Sequence, residues 1–266
     1  MRRPYILPEG NIFPFYERLL SQKHLLIAGA SGSGKSAVVN GLIHTALARF
    51  PGHEDGCVQF IFIDVKGFEL SLYEHLPHTL AYADQLEKAV RALDYAVEII
   101  EQRNRQTKAL GLRMFPGGDV YIVIDEFADL MTTIGKRIVP AVQRIAQIGR
   151  AARVHLILCT QCPLVEILPT KIKCNFDSVL ALHTAKAQDS RNIIGIAGCE
   201  SLPAHGSALY TEPGLDIARV TGLPLIPEDE LKRRASHWAK QKAGLKGSAS
   251  TKRTPFRHWQ TANTLG

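Results

Sequence analysis

The thirteen residues His24-Leu25-Leu26-Ile27-Ala28-Gly29-Ala30-Ser31-Gly32-Ser33-Gly34-Lys35-Ser36 decide how this chain folds. Residues 24–28 form an unalternating apolar run, the pattern of a strand buried on both faces, and Gly29 stops it. From Gly29 the chain satisfies every fixed position of the phosphate-loop pattern G-x-x-x-x-G-K-[ST]. Beyond it Val38, Val39, Leu42, Ile43, Ala46 and Leu47 recur at helical spacing from Lys35 to about Phe50, where Pro51-Gly52 ends the helix. Strand, glycine-rich loop and amphipathic helix are the context in which this motif holds phosphate. The glycines let backbone N–H groups close around a β-phosphate, and the helix turns its positive end toward the same anion. The expected nucleotide-binding residues are therefore Gly29, Ala30, Ser31, Gly32, Ser33, Gly34, Lys35 and Ser36. Lys35 would reach the β- and γ-phosphates, and the Ser36 hydroxyl would ligate magnesium.

Outward from this unit the alternation continues. A second buried strand is expected over 58–63, stopping at Asp64, and a long helix over 86–110, stopped by Gly111. Asp84 is placed to cap that helix with Glu87 three residues on, and Leu86, Ala89, Val90, Leu93, Val97 and Ile100 make its buried stripe. Strands follow at 121–124, 154–159 and 179–182, with a helix at 136–151. Strands alternating with long helices predict an α/β fold with a mostly parallel central sheet and helices on both faces. Residues 1–22 read as a lead-in with three prolines and no clear period, 23–227 as one domain, and 228–266 as a basic helix and partly disordered tail.

The partner of the phosphate loop is Tyr121-Ile122-Val123-Ile124-Asp125-Glu126, an apolar strand that delivers acids at its carboxyl end. Asp125 would hold magnesium through water, and Glu126 would orient and deprotonate the attacking water. An Asp-Glu pair here favours ATP hydrolysis over GTP hydrolysis. The strand at 154–159 runs into Thr160-Gln161, whose amide would sense the γ-phosphate at the same sheet edge. Arg144, Arg150 and Arg153 precede that strand; one arginine reaching a neighbouring subunit's nucleotide would complete the charge stabilisation, and pattern alone does not choose among them.

Composition narrows the classes further. With 45% hydrophobic and 21% charged residues the 266-residue chain is of ordinary globular type. Its net charge of +7 is unevenly placed: residues 1–230 balance at −2, and residues 231–266 carry nine basic and no acidic residues. The longest apolar runs fall far short of the roughly 20 residues that span a bilayer, so direct membrane insertion is not expected. Five scattered cysteines point to structural thiols in a reducing, cytoplasmic setting, and Cys159-Thr160-Gln161-Cys162 lacks the second ligand pair of a zinc site.

Between His24 and Pro213 the chain resembles the motor domain of the FtsK/SpoIIIE family of DNA translocases. The resemblance rests on the phosphate loop with its strand and on Ile63-Asp64-Val65-Lys66 followed by Glu69-Leu70-Ser71-Leu72-Tyr73-Glu74. Asp125-Glu126-Phe127-Ala128-Asp129-Leu130-Met131, Gly149-Arg150-Ala151-Ala152, Thr160-Gln161 and Asp189-Ser190-Arg191 continue it in order. It implies a RecA-like P-loop ATPase that takes ATP and Mg2+ and forms a homo-hexameric ring around double-stranded DNA. Hydrolysis at subunit interfaces would move pore loops along the duplex. It also implies that Arg150 is the trans-acting arginine, and that Lys173 and Arg191 lie near DNA contacts, made to phosphates and so largely independent of sequence. Three positions depart from the family: Cys162 where an arginine follows Thr-Gln, Val65 for proline, and Ser207 for aspartate. Two other readings are an ATPase of a protein secretion or conjugation system, working with a separate membrane-anchored partner, and a regulatory module that holds ATP without moving anything. The basic tail reads equally as an auxiliary DNA tether or as a solvated terminus.

Overall fold

The computed structural model describes residues 5–6, 13–49, 57–161, 164 and 166–240. Its elements run β1 (Tyr5–Ile6), α1 (Phe13–Leu20), β2 (Leu25–Ala28), α2 (Lys35–Arg49), β3 (Gln59–Ile63), β4 (Thr79–Ala83), α3 (Leu86–Ala109) and β5 (Val120–Ile124). They continue with α4 (Phe127–Ile148), β6 (Val154–Thr160), α5 (Thr170–Lys173), β7 (Ser178–Ala181), α6 (Ala187–Ile194), β8 (Ser207–Glu212), β9 (Leu215–Thr221) and α7 (Glu228–Lys240). The strands form one sheet in the order β1-β9-β8-β7-β2-β6-β5-β3-β4. From β7 across to β4 every neighbour is parallel, while β8 runs antiparallel to β7 and β9.

The apolar runs of the sequence become strands because helices cover both faces, so every side chain along β2 and β5 is buried. Alternate residues enter different layers. Leu26, Ile122, Ile124, Leu156 and Leu158 pack toward α3, α4, α5 and α6. Leu25, Ile27, Val123 and Ile157 pack toward α1, α2 and α7. His24 opens β2 as a neutral, satisfied ring: Leu156 N donates to its Nδ1 at 2.9 Å and its Nε2 donates to the Ala146 carbonyl at 3.0 Å. Burial above all pushes its pKa down to about 3.

Several expectations are corrected. The helix placed at 136–151 starts at Phe127, and Ile134 breaks it with φ −130° and ψ 20°. The first segment escapes a periodicity reading because Thr132, Thr133 and Gly135 have weak helix propensity, while Glu126 caps it from outside. Asp84 does not cap α3: Gln85 holds that position without a side-chain bond, and Asp84 accepts from Lys88 Nζ at 2.7 Å. The stretch without a clear period holds α1, whose Phe15, Tyr16, Leu19 and Leu20 are buried against the α2 layer. The β8–β9 hairpin, turning at Pro213-Gly214 with φ 79° at the glycine, and the edge strand β4 were not anticipated. The basic C-terminal helix expected from residue 228 is described as far as Lys240 and docks through Leu231 and Ala235. Lys232 pairs with Glu228, and Arg233 and Arg234 pair with Glu230, so much of its basic charge is met within the helix. The basic tail over 241–266 lies outside the described residues.

The docking of α1 is tight at one point. A Cβ on Gly41 would run into the ring of Tyr16. Gly41→Ala is therefore expected to destabilise the fold by about 1–3 kcal/mol through overpacking, with no change in the sheet. Denaturant unfolding checks this, and Tyr16→Leu in the same chain should recover part of the loss.

Candidate nucleotide site

The strand ends assemble the site. β2 lies between β6 and β7, and β6 separates it from β5, so the phosphate loop, Asp125 and Gln161 emerge side by side at the carboxyl edge of the sheet, where open α/β sheets take ligands. The loop is anchored at its root: Gly29 N donates to the Thr160 carbonyl at 3.3 Å, and Ala30 N to the His183 carbonyl at 2.8 Å. Gly32 and Gly34 sit at φ 72° and 97°, left-handed conformations that glycine adopts without a Cβ penalty. Lys35 Nζ donates to the Gly29 and Ala30 carbonyls, both at 2.8 Å, so the ammonium lies across the mouth of the loop. Burial lowers the Lys35 pKa, opposed by the charges of Glu126 and Asp125.

A cleft of about 380 Å³ opens over this loop, within the range of small-molecule sites. One wall holds residues 31–38, Glu69, Asp125 and Gln161; the other is Leu182, His205, Gly206, Leu223, Pro224 and Leu225. This second wall was missed by sequence reading, since it comes from β8, the end of β7 and the segment after β9, far along the chain. Its apolar character, with Leu225 78% exposed, suits the flat face of a base. Glu69 was missed as a site residue although the Asp64–Glu69 spacing was visible. The Asp64 carboxylate accepts from the N–H groups of Gly67, Glu69 and Leu70, each at 2.9 Å, and this curls the segment so that Glu69 faces the cleft.

The acids behave differently from one another. Asp125 lines the cleft, and burial, then the neighbouring Asp64, Glu69 and Glu126, push its pKa up to about 7. With the Ser36 hydroxyl it makes a hard oxygen donor set, one carboxylate and one alcohol, that suits Mg2+ sharing its shell with phosphates and water. Glu126 sits behind, 7% exposed. Its carboxylate accepts from Ala128 N and Thr160 Oγ1, each at 3.1 Å, and from Gln161 N at 3.1 Å to Oε2. The acid expected to activate water is thus tied to the backbone of the residue expected to sense phosphate.

The arginines separate clearly. Arg153 is held by Asp119 through Nε at 3.0 Å and Nη2 at 2.6 Å, and Arg144 lies 4.0 Å from Glu101. Arg150 is exposed in the turn between α4 and β6. That turn is at the opposite end of β6 from Gln161; seven residues of strand put about 20 Å between them. Arg150 therefore cannot reach the cleft of its own chain. Lys173 Nζ donates to the Asn192 carbonyl in the last turn of α6, and burial lowers its pKa. Arg191 is exposed on that same helix. Among the described residues Cys159 and Cys199 are buried thiols outside any disulfide, and burial raises the Cys159 pKa.

A mostly parallel sheet with a phosphate loop on β2, acids on β5 and an intervening β6 defines a RecA-like P-loop nucleotide-binding domain. The chain belongs to the FtsK/SpoIIIE family, whose model matches residues 7–119 and 117–165. It is 33% identical over 267 aligned positions to the DNA translocase FtsK of Pseudomonas aeruginosa, and 35% over 262 to that of Pseudomonas putida. Each alignment covers 85% of this chain, which spans about a third of those relatives, 32% and 31% of their length. The fold is similar to the pCW3 conjugation coupling protein TcpA, with a TM-score of 0.73, 21% identity, and coverage of 84% of this chain and 66% of that one. It is also similar to ATPases 2 and 3 of EssC from Geobacillus thermodenitrificans, with a TM-score of 0.70, 18% identity, and coverage of 85% and 45%. Among the described residues no helix is long and apolar enough to cross a membrane.

The raised Asp125 pKa has a stability consequence. Between about pH 4, where a free carboxylate titrates, and about pH 7, the folded chain keeps a proton that the unfolded chain has released, so stability falls as pH rises through that window. In nucleotide- and metal-free buffer, Asp125→Asn should raise the thermal midpoint at pH 8, corresponding to on the order of 4 kcal/mol at most. The gain should vanish near pH 4; calorimetry across pH measures it.

Proposed function

We propose that this chain is the motor of an ATP-driven double-stranded DNA translocase, acting in the cytoplasm as a homo-hexameric ring that hydrolyses ATP between subunits. The observation that carries the reading is the separation of Arg150 from the cleft by the length of β6. A ring of copies, each presenting the Arg150 edge to the next subunit's cleft, joins the two halves of a hydrolytic site, whereas a lone copy keeps them apart. Membership in the FtsK/SpoIIIE family supports DNA as the track.

In this reading the loop N–H groups and Lys35 cradle the phosphates, and Lys35 exchanges the Gly29 and Ala30 carbonyls for phosphate oxygens. Ser36 and Asp125 would hold Mg2+, which would supply positive charge to the phosphate oxygens. Glu126 turns out of its cradle, orients water and takes its proton as the oxygen attacks the γ-phosphorus and the bond to the bridging oxygen of ADP breaks. Gln161 reports the state of the γ-phosphate to Glu126, because its backbone N–H is one of the donors that restrain that carboxylate. Arg150 from the neighbouring subunit neutralises charge developing on the leaving group. On the DNA side, Arg191 is the exposed cation and contacts phosphate, while Lys173 closes the carboxyl end of the helix that bears it. Phosphate contacts of this kind carry little sequence preference and weaken steeply with salt.

ATPase rate measured against duplex length and salt tests this. Long duplex at low salt should stimulate hydrolysis, and Glu126→Gln should lose roughly a hundredfold or more in kcat while still binding ATP. Lys35→Ala should lose nucleotide binding. No stimulation by duplex DNA would sink the reading and favour a secretion or conjugation ATPase.

A further inference from the structure

The turn that carries Arg150 is unusually constrained. Between Gly149 and Val154 it reverses direction, closed by Val154 N donating to the Gly149 carbonyl at 3.0 Å and Arg153 N to the Arg150 carbonyl at 3.1 Å. Gly149 has no room for a side chain, because a Cβ would strike the Val154 carbonyl. Arg153 is the one non-glycine among the described residues with positive φ, 55°, a conformation that costs energy for a residue with a Cβ. The pairing of Arg153 with Asp119 offsets that cost, and Asp119 is itself shared with His155 Nε2 at 2.9 Å.

Arg103 reaches this turn from α3, a different layer element. Its Nη1 donates to the carbonyls of Gly118 at 2.9 Å and Ala152 at 3.0 Å, with the Arg153 carbonyl at 3.4 Å, and its guanidinium lies 4.5 Å over the Phe115 ring. Phe115 N in turn donates to the Ala151 carbonyl at 2.8 Å. Two carbonyls of the turn, and the segment leading into β5, are thus gripped by one planar cation. Nothing in the phosphate cleft touches Arg103, so its contacts serve only the opposite edge.

We propose that Arg103 is a positioning residue for Arg150, locking the 149–153 turn so that Arg150 projects rigidly toward the neighbouring subunit's nucleotide. This rests on the reading of Arg150 as trans-acting. A rigid support matters because an arginine that must meet developing charge loses its benefit with small displacement; about 1 Å of misplacement can cost roughly a hundredfold. An arginine suits the role better than lysine, since the guanidinium plane stacks on the Phe115 ring while its Nη1 holds the carbonyls.

The test is a double-mutant cycle on the full chain, reading DNA-stimulated kcat, KM for ATP and the thermal midpoint. Arg150→Ala should lower kcat by roughly a thousandfold. Arg103→Met should lower kcat at least about tenfold with KM for ATP within about twofold, because the cleft of the same chain is untouched. Arg103→Lys should not restore the rate. The double variant should be no slower than Arg150→Ala alone, the signature of two residues acting as one unit. Should Arg103→Met fail to fold, Arg153→Gly, which keeps the left-handed turn but removes its ion pair, takes its place with the same expectation. Losses that multiply in the double variant, or an Arg103→Met rate equal to the parent's while Arg150→Ala is inactive, would overturn the positioning role alone. An unchanged rate for Arg150→Ala would overturn the trans-acting reading beneath it.

Discussion

Six strands from β7 to β4 run parallel under helices on both faces, so their backbone groups pair sideways and their side chains are committed to two apolar layers. Under that constraint polar chemistry gathers at the strand ends, and parallel direction brings every carboxyl end to one edge. The phosphate loop, Asp64, Asp125 and Gln161 meet there because β2, β3, β5 and β6 all stop there. The same constraint sends the α4–β6 turn, with Arg150, to the other edge. The distance between Arg150 and the cleft follows from strand direction more than from any single contact.

Crowding acids at one edge raises their electrostatic cost, and the molecule meets it unevenly. Asp64 is satisfied by three backbone N–H donors and Glu126 by Thr160, Gln161 and Ala128. Asp125 lacks such a set and stays easily protonated until a cation arrives. Asp125, with its raised pKa, faces the cleft, and the better supported Glu126 is the one tied to the backbone of Gln161. Neighbouring positions of one strand thus sit in different electrostatic surroundings.

On the far edge the problem is mechanical. Arg150 stands exposed at the tip of its turn, and the turn is held by the residues behind it. Arg103, Phe115 and the Asp119–Arg153 pair hold it from α3 and from the segment entering β5. The exposed Arg150 is thus carried by a turn whose carbonyls are held from α3.

The α/β class, the helices after the phosphate loop and over 86–110, the phosphate loop and the Asp125-Glu126 pair were legible in the sequence, because each depends on local periodicity or on a motif of fixed spacing; Glu69 was not, because only the turn built on Asp64 brings it to the cleft. The helix from Phe127 was obscured by Thr132, Thr133 and Gly135, whose weak propensities are overridden by Glu126 capping and burial of Phe127 and Leu130. β4, β8 and β9 were obscured because they are only partly buried and mix polar with apolar residues, so they lack the unbroken apolar runs of the central strands. The choice among Arg144, Arg150 and Arg153 could not be made from three equivalent charges in ten residues; their partners, Glu101 and Asp119 against open solvent, distinguish them only once α3 and β5 are packed alongside. The apolar wall at Leu223 to Leu225 likewise exists only because the hairpin returns beside β7. Local sequence determined which groups are chemically able to bind and cleave a nucleotide, through residue type and spacing. Tertiary structure decided which of them face one another, because strand order and helix packing bring together residues that no spacing along the chain relates.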